Sequence, residues 1–154
     1  MTTDLPAVFV DADACPVKEE AMRVAGRHGL MLHMVSNQWM RLPESPLIKR
    51  VVVSDGFDAA DDWIAENIRE GDIAVTSDIP LAARCLEKGA RVLKPNGESF
   101  TKDGIGMALA MRDLMAHLRD TGEISGGGPA FGKQDRSRFL NAMETQVQAA
   151  KRRQ

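Results

Sequence analysis

Tyrosine is absent from this 154-residue chain, and aromatic residues make up only 5% of it. A base-stacking platform of the kind found in RNA-recognition motifs is therefore not expected, because such platforms are built from aromatic side chains. The two cysteines, Cys15 and Cys85, show neither CxxC nor CxxH spacing. Neither a disulfide framework nor a zinc knuckle is indicated.

Long apolar runs and a basic leader are absent as well. No apolar run approaches the ~18 residues of a membrane span, and the first apolar stretch has no basic region ahead of it. We therefore expect a cytoplasmic protein with no membrane contact. An apolar content of 44% and a net charge of −2 are typical of a folded chain, and the length fits one domain.

The small net charge conceals an uneven distribution of charge. Residues 133–154 contain six basic and two acidic residues, a balance of +4, which leaves −6 for the rest of the chain. An acidic body with a basic tail suits a metal site combined with a contact to a polyanion. Charge alone equally allows a solvated helix end at this position.

Apolar runs that end in polar residues alternate with stretches of helical periodicity. The predicted strands are residues 5–10, 30–35, 47–53, 72–76 and 90–93, and helical stretches lie between most of them. This alternation predicts βαβ units and a three-layer α/β fold, with a mostly parallel sheet of about five strands. Most of the runs are continuously apolar rather than alternating, as expected for strands that are covered on both faces.

After residue 100 the pattern is helical only. We expect residues 1–154 to form a single α/β domain, with 129–154 as a C-terminal helical extension. A glycine-rich hinge at 126–129 precedes that extension. The apolar face of the last predicted helix carries Phe139, Met143 and Val147, and it packs either on the same domain or on a second subunit.

Acidic residues follow the predicted strands at one edge of the sheet. Asp11 and Asp13 follow the first strand, Asp78 follows the fourth, and Asp58 and Asp61 begin the helix after the third. Because the carboxyl ends of parallel strands share one edge, these carboxylates converge, and their mutual repulsion normally implies a bound cation. A donor set made only of oxygens favours Mg²⁺ or Mn²⁺.

Each acid also has a purely structural interpretation. Asp58 and Asp61 suit the first turn of a helix, and Asp78 can cap the helix that follows it. Asp11 and Asp13 are harder to explain as caps, since only one helix start lies near them. Asp62 adjoins Asp61, so the sequence leaves open which acid of this group joins the site.

Three further residues are candidates for contacts with a phosphate-bearing substrate: Lys18, Asn37 and Ser77. Lys18 lies in the first turn of a predicted helix, where a solvated lysine is equally plausible, and the other two occupy strand ends. Cys15 is interpreted as a small buried residue. We expect the loop 37–46, which follows a strand end and contains Trp39, to border the site.

Four blocks of the sequence resemble the uncharacterised bacterial YaiI/YqxD family: VDADACPVK (10–18), DAADDWI (58–64), GDIAVTSDIPLA (71–82) and GGP…DR…F (127–139). That family is distantly similar to PIN-like nucleases, which implies a PIN-like fold and an acidic Mg²⁺ or Mn²⁺ site at the carboxyl edge of a parallel sheet. The resemblance implies that Asp11 and Asp13 form the first acidic element and Asp78 the later one. Asp58 or Asp61 would supply the middle acid, where PIN-like nucleases more often have Glu.

The leading functional hypothesis is a metal-dependent nuclease, a hydrolase of phosphodiester bonds with RNA as the favoured substrate. Asp11, Asp78 and either Asp58 or Asp61 would hold the ion, and Asp13 would be a second ligand or orient the attacking water. Lys18 and the basic tail would contact phosphates.

Two alternatives remain open at this point. The pattern of apolar residues followed by Asp-x-Asp also opens haloacid-dehalogenase-type phosphohydrolases, in which Asp11 would be the nucleophile. Against this, Cys15 stands where those enzymes usually have Thr, and no later Lys with a well-spaced acidic pair is present. The other alternative is a non-catalytic module that binds nucleic acid or protein and retains a vestigial acidic edge.

Overall fold

A computed structural model describes residues 5–13, 15–54, 56, 58–122 and 130–152 of the chain. Strands and helices alternate through most of this range. In chain order they are β1 (Val8–Asp11), α1 (Lys18–Arg27), β2 (Leu32–Ser36), β3 (Ile48–Val52), α2 (Ala59–Asn67), β4 (Ile73–Val75), α3 (Ile79–Glu87), β5 (Arg91–Leu93), β6 (Ser99–Phe100), α4 (Ile105–Asp120) and α5 (Lys133–Arg152). The glycine-rich hinge predicted at 126–129 lies outside the described residues.

The strands form one sheet in the order β3-β2-β1-β4-β5-β6. The first five are parallel to their neighbours, and β6 pairs with β5 in the antiparallel direction. The predicted three-layer α/β fold with a mostly parallel sheet and C-terminal helices is confirmed. Strand β6 is not predicted, because two residues are too few to show a periodicity.

Both faces of the central strands are covered. Val8 and Val10 of β1 are fully buried in a core shared with α1 and α5, whereas Phe9 points into a second core shared with α2 and α3. Alternate residues of one strand therefore enter different cores. This double burial is why the strands read as unbroken apolar runs.

Helix α5 packs against the domain itself. Its apolar residues recur every three or four positions, and Phe139, Met143 and Val147 have no solvent exposure. Gly97 allows this close approach: it has a φ of 94°, and a side-chain Cβ there would lie 2.7 Å from the backbone carbonyl of Arg138. The apolar face of the last helix is thus buried against the core of the same chain.

Helix α4 lies on α3 and is far less covered. Ile105 and Ala108 pack against the second core, but α4 contains no buried residue, and Met107 on its outer side is 71% exposed. Over the part of the chain that the structure describes, no helix is both long and apolar enough to cross a membrane.

Candidate functional site

The strand order reverses between β1 and β4. From β1 the chain moves through β2 and β3 on one side, then crosses to β4 and β5 on the other. In open α/β sheets, ligands bind in the crevice at the carboxyl ends of the strands where this reversal occurs. Asp11 is the last residue of β1, and Thr76 directly follows β4, so both lie at that position.

Asp11 is held by a buried threonine of the neighbouring strand. The Thr76 hydroxyl donates a hydrogen bond of 2.8 Å to Oδ2 of Asp11 and accepts one of 3.0 Å from the backbone N–H of Asp78. Burial raises the pKa of Asp11; the bond from Thr76 opposes this, and the charges of Asp78 and Asp13 raise it further. Asp11 is therefore a partly dehydrated carboxyl group with negative neighbours.

Asp61, in the first turn of α2, experiences the charges of Asp11 and Asp78. Burial raises the pKa of Asp61 to about 6, and the charges of Asp78, Asp11 and Asp58 act in the same direction, opposed by Arg84. The charges of Asp11 and Asp78, which follow β1 and β4, therefore act on Asp61, and the charge of Asp78 also acts on Asp11.

The neighbouring acids of α2 have different surroundings. Asp62 is 2.8 Å from the Arg84 guanidinium, with which it forms an exposed ion pair. Asp58 occupies the N-cap position of α2, but its side chain makes no capping hydrogen bond. Asp58 therefore lies at the start of the helix, as the sequence suggests, without capping it through its side chain. Asp61 is the α2 acid whose pKa is raised by the charges of both Asp11 and Asp78.

Asp78 does cap the helix that follows it. Its Oδ1 accepts a 2.8 Å hydrogen bond from the backbone N–H of Leu81 at the start of α3. This bond fixes the carboxylate without removing its charge, which still acts on Asp11 and Asp61. Asp11, Asp61 and Asp78 are hereafter called the switch-point carboxylates.

Asp13 uses both of its oxygens to hold the end of β2. Its Oδ1 accepts from the Ser36 hydroxyl at 2.8 Å, and its Oδ2 accepts from the backbone N–H of Asn37 at 3.0 Å. The Asn37 amide in turn donates to the carbonyl of Ser54, just beyond β3, at 2.9 Å. Asp13 and Asn37 thus join the ends of neighbouring strands.

The other predicted residues lie around this edge. The Lys18 ammonium donates to the carbonyls of Cys15 at 2.8 Å and Ala12 at 3.5 Å, which holds the turn between β1 and α1. Ser77 is exposed between Thr76 and Asp78. Cys15 is buried, and burial raises the pKa of its thiol, so it is a poor nucleophile.

The donor chemistry at this edge suits a hard cation. Asp11 and Asp78 supply carboxylate oxygens at this edge, and Mg²⁺ typically keeps several of its waters and binds through one or two carboxylates. Among the described residues, no three acidic, histidine or cysteine side chains are placed to hold one metal ion directly. The described residues therefore do not form a closed cage for a metal ion.

Two residues with clear roles were not found from the sequence. Thr76 gives no signal, because a threonine at the end of a strand is common. Asp72 lies at the opposite, amino end of β4, where it is buried and accepts 2.9 Å hydrogen bonds from the backbone N–H groups of Ala7 and Arg69. It is a structural acid remote from the switch-point carboxylates.

Comparison with known proteins places this architecture in one family. The model of the uncharacterised bacterial YaiI/YqxD family matches residues 9–149. A UPF0178 protein of Parvibaculum lavamentivorans is 63% identical over 146 residues, which cover 95% of this chain and 96% of that protein. One from Rhodospirillum rubrum is 58% identical, with 94% and 97% covered, and one from Gluconobacter oxydans is 54% identical, with 95% and 83% covered.

No solved structure shows a significant match to the chain. The family model and the relatives nevertheless extend over both strand ends and the first turn of α2, and so over all three switch-point carboxylates. On this evidence the chain belongs to the uncharacterised bacterial YaiI/YqxD family.

Proposed function

We propose that the switch-point carboxylates bind Mg²⁺ or Mn²⁺ and that the protein is a metal-dependent, PIN-like nuclease that hydrolyses phosphodiester bonds in RNA. The observation that carries this proposal is the placement of Asp11 at the end of β1 and of Asp78 just beyond β4, both hydrogen-bonded to the Thr76 hydroxyl where the strand order reverses; burial and neighbouring carboxylates also raise the pKa of Asp61 to about 6. Perturbed acids in a crevice at the switch point of a sheet are typical of functional sites.

The protein supplies position and charge. Asp11 and Asp61 are the expected cation contacts, with Asp78 beside them and oriented by its bond to Leu81. When bound, the cation would orient and activate water and neutralise charge on the leaving oxygen. Asp13 is expected to act indirectly, since Ser36 and Asn37 occupy both of its oxygens.

The first test is Mn²⁺ binding by calorimetry, with Asp61→Asn compared with Asp62→Asn. These substitutions are adjacent and remove the same charge, but Asp62 pairs with Arg84, whereas the charges of Asp78, Asp11 and Asp58 raise the pKa of Asp61. We expect stoichiometric binding in the wild type and in Asp62→Asn, and its loss in Asp61→Asn and Asp11→Asn. Equal binding by all four proteins, or none by the wild type, contradicts the proposal.

The second test is cleavage of a labelled single-stranded RNA in Mn²⁺. Asp11→Asn should abolish both cleavage and cation binding, and an Asp11→Asn protein that cleaves normally would show the nuclease assignment to be wrong. If the wild type binds Mn²⁺ but cleaves no RNA, the proposed cation site is retained and the proposed nuclease activity is rejected.

A non-catalytic binding module is the second candidate. It is favoured by the absence, within the described ranges, of three side chains that could ligate one ion directly. This candidate predicts that Asp61→Asn leaves binding to RNA or a protein partner unchanged.

A further inference from the structure

A groove lies between the start of α1 and the loop after β2. It consists of two adjoining pockets of about 940 and 520 Å³ that share Glu19, Met22, Arg41 and Leu42. The larger extends to Trp39 and Arg50, and the smaller to Lys18 and Arg136. We call these two pockets together the loop groove.

The loop groove leads to the carboxyl edge of the sheet. Lys18, which lines the smaller pocket, donates to the carbonyls of Ala12 and Cys15 in the turn that contains Asp13. Asp13 in turn binds the backbone N–H of Asn37, two residues before Trp39. The turn that carries the acids therefore also anchors the loop that forms the groove.

Trp39 forms an exposed aromatic surface in this loop. Its side chain is 65% exposed, and the guanidinium carbon of Arg50 lies 4.7 Å from the centre of its ring. Arg50 also donates a 2.9 Å hydrogen bond to the Met40 carbonyl, so one side chain contacts both the indole and the adjacent backbone. Trp39 is thus held outside the core with much of its ring facing solvent.

Basic side chains accompany this ring along the loop groove. Arg41 is exposed and makes no hydrogen bond or ion pair with any residue that the structure describes. The groove also contains Glu19, Glu20 and Glu44, of which Glu20 lies 3.3 Å from Arg136. The four basic residues that line it outnumber these three acids by one.

We propose that the loop groove binds single-stranded nucleic acid, with a base stacked on Trp39 and backbone phosphates bound by Arg41 and Arg50. Proteins that bind single strands combine basic side chains along a groove with aromatic side chains on which bases stack, and Trp39 supplies such a ring here. Bases within a duplex already stack on each other and cannot use an isolated indole. The inference rests on the proposed function only in that the bound strand would be cleaved at the carboxyl edge of the sheet. Binding of the strand to the loop groove itself needs no cation.

The fluorescence of Trp39 tests this directly. The chain has two Trp and no Tyr, so Trp63→Phe leaves Trp39 as the dominant fluorophore. Trp63 packs beside Phe9 and His33 with ring separations of 6.0 and 5.7 Å, and phenylalanine preserves an aromatic ring there. In EDTA, an oligouridylate of about 12 nucleotides, within the span of such grooves, should quench this fluorescence in a saturable and salt-sensitive manner.

Variants identify the contacts. In anisotropy titrations with the same labelled strand, Trp39→Leu should weaken binding about tenfold and Trp39→Phe much less, since stacking needs a ring. Arg41→Gln should weaken binding and reduce the salt dependence by about one phosphate contact. Arg112→Gln on the exposed side of α4 is the matched control and should bind as the wild type does.

The outcomes separate this inference from the proposed function. Unchanged affinity in Trp39→Leu, no binding by the wild type, or equal affinity for a duplex of the same length overturns the inference. If the strand binds in EDTA through Trp39 and Mn²⁺ binding is absent, only the proposed nuclease function fails. If Mn²⁺ binds and RNA is cleaved while Trp39→Leu retains full affinity, only the loop groove assignment fails.

Discussion

The hydroxyl of Thr76 lies 2.8 Å from Oδ2 of Asp11 and links β4 to β1 where the strand order reverses. The same hydroxyl accepts a hydrogen bond from the backbone N–H of Asp78. One buried side chain thereby orients Asp11 and fixes the backbone of a second acid. The positions of two switch-point carboxylates depend on a residue that carries no charge.

Replacing Thr76 by valine should weaken both the fold and the site. Valine matches the shape of threonine but removes the donor, and loss of a hydrogen bond to a carboxylate raises the pKa of that group. We expect a loss of about 1–2 kcal/mol in the free energy of unfolding in urea and weaker Mn²⁺ binding. Thr76→Ser retains the hydroxyl and should keep most of the stability and most of the Mn²⁺ binding. Equal losses of stability and binding in Thr76→Val and Thr76→Ser would contradict a role for the hydroxyl.

Asp61→Asn should stabilise the metal-free protein at neutral pH. In the folded state the pKa of Asp61 is raised from 3.8 to about 6, so ionisation of this carboxyl destabilises the fold. This destabilisation by the ionised Asp61 is absent below about pH 4, where the carboxyl is protonated in both states, and complete above about pH 6, where it is ionised in both. Two units would correspond to roughly 3 kcal/mol, but the side chain is only half-buried, and solvent screening reduces the expected gain to about 1 kcal/mol.

Urea unfolding in EDTA at pH 4 and at pH 7.5 measures this effect. The stability difference between Asp61→Asn and the wild type should appear only at the higher pH. Asp62→Asn removes an exposed ion pair with Arg84 and should change the stability by no more than about 0.5 kcal/mol. A wild type that is more stable than Asp61→Asn at pH 7.5 would mean that Asp61 is not repelled by its neighbours.

Phe139→Ala tests whether α5 is part of the domain core. Phe139 is fully buried in the core that contains Val8 and Val10, and truncation of such a side chain costs about 3–5 kcal/mol. Leu140→Ala at the adjacent, half-buried position should cost much less. The two free energies of unfolding are compared from urea midpoints, provided that the slopes of the transitions are unchanged. Equal losses of stability in the two variants would mean that Phe139 is not on the face of α5 that packs on the core.

The sequence predicts the fold more fully than the details of the site. Continuous apolar runs that end in polar residues identify β1, β2, β4 and β5, because strands buried on both faces need such runs. Strand β3 lies at the sheet edge and is predicted although Lys49 and Arg50 interrupt its run. The same reasoning places Asp11 and Asp78 at one edge. It does not find β6, whose two residues pair with β5 through the turn around Gly97.

Selection among neighbouring acids needs the orientation of α2 in three dimensions. Asp58, Asp61 and Asp62 all lie in or next to the first turn of one helix, and only the packing of α2 on the sheet decides which of them faces Asp11. Likewise, a low aromatic content argues against a stacking surface but does not reveal that Trp39 lies exposed in a loop. Composition counts residues and does not give their positions.

Mn²⁺ should raise the stability of the wild type and leave Asp61→Asn unchanged. A cation bound only by the folded state stabilises it by an amount that grows with concentration, about 2.7 kcal/mol at one hundred times the dissociation constant. The cation also relieves the repulsion among the switch-point carboxylates. The stability advantage of Asp61→Asn over the wild type at pH 7.5 should therefore shrink or reverse as Mn²⁺ is added. Urea unfolding over a Mn²⁺ series measures this, with Asp62→Asn expected to follow the wild type. If Mn²⁺ stabilises all three proteins equally, the cation binds elsewhere on the protein. The switch-point carboxylates would then repel one another in the folded state without a metal ion to compensate.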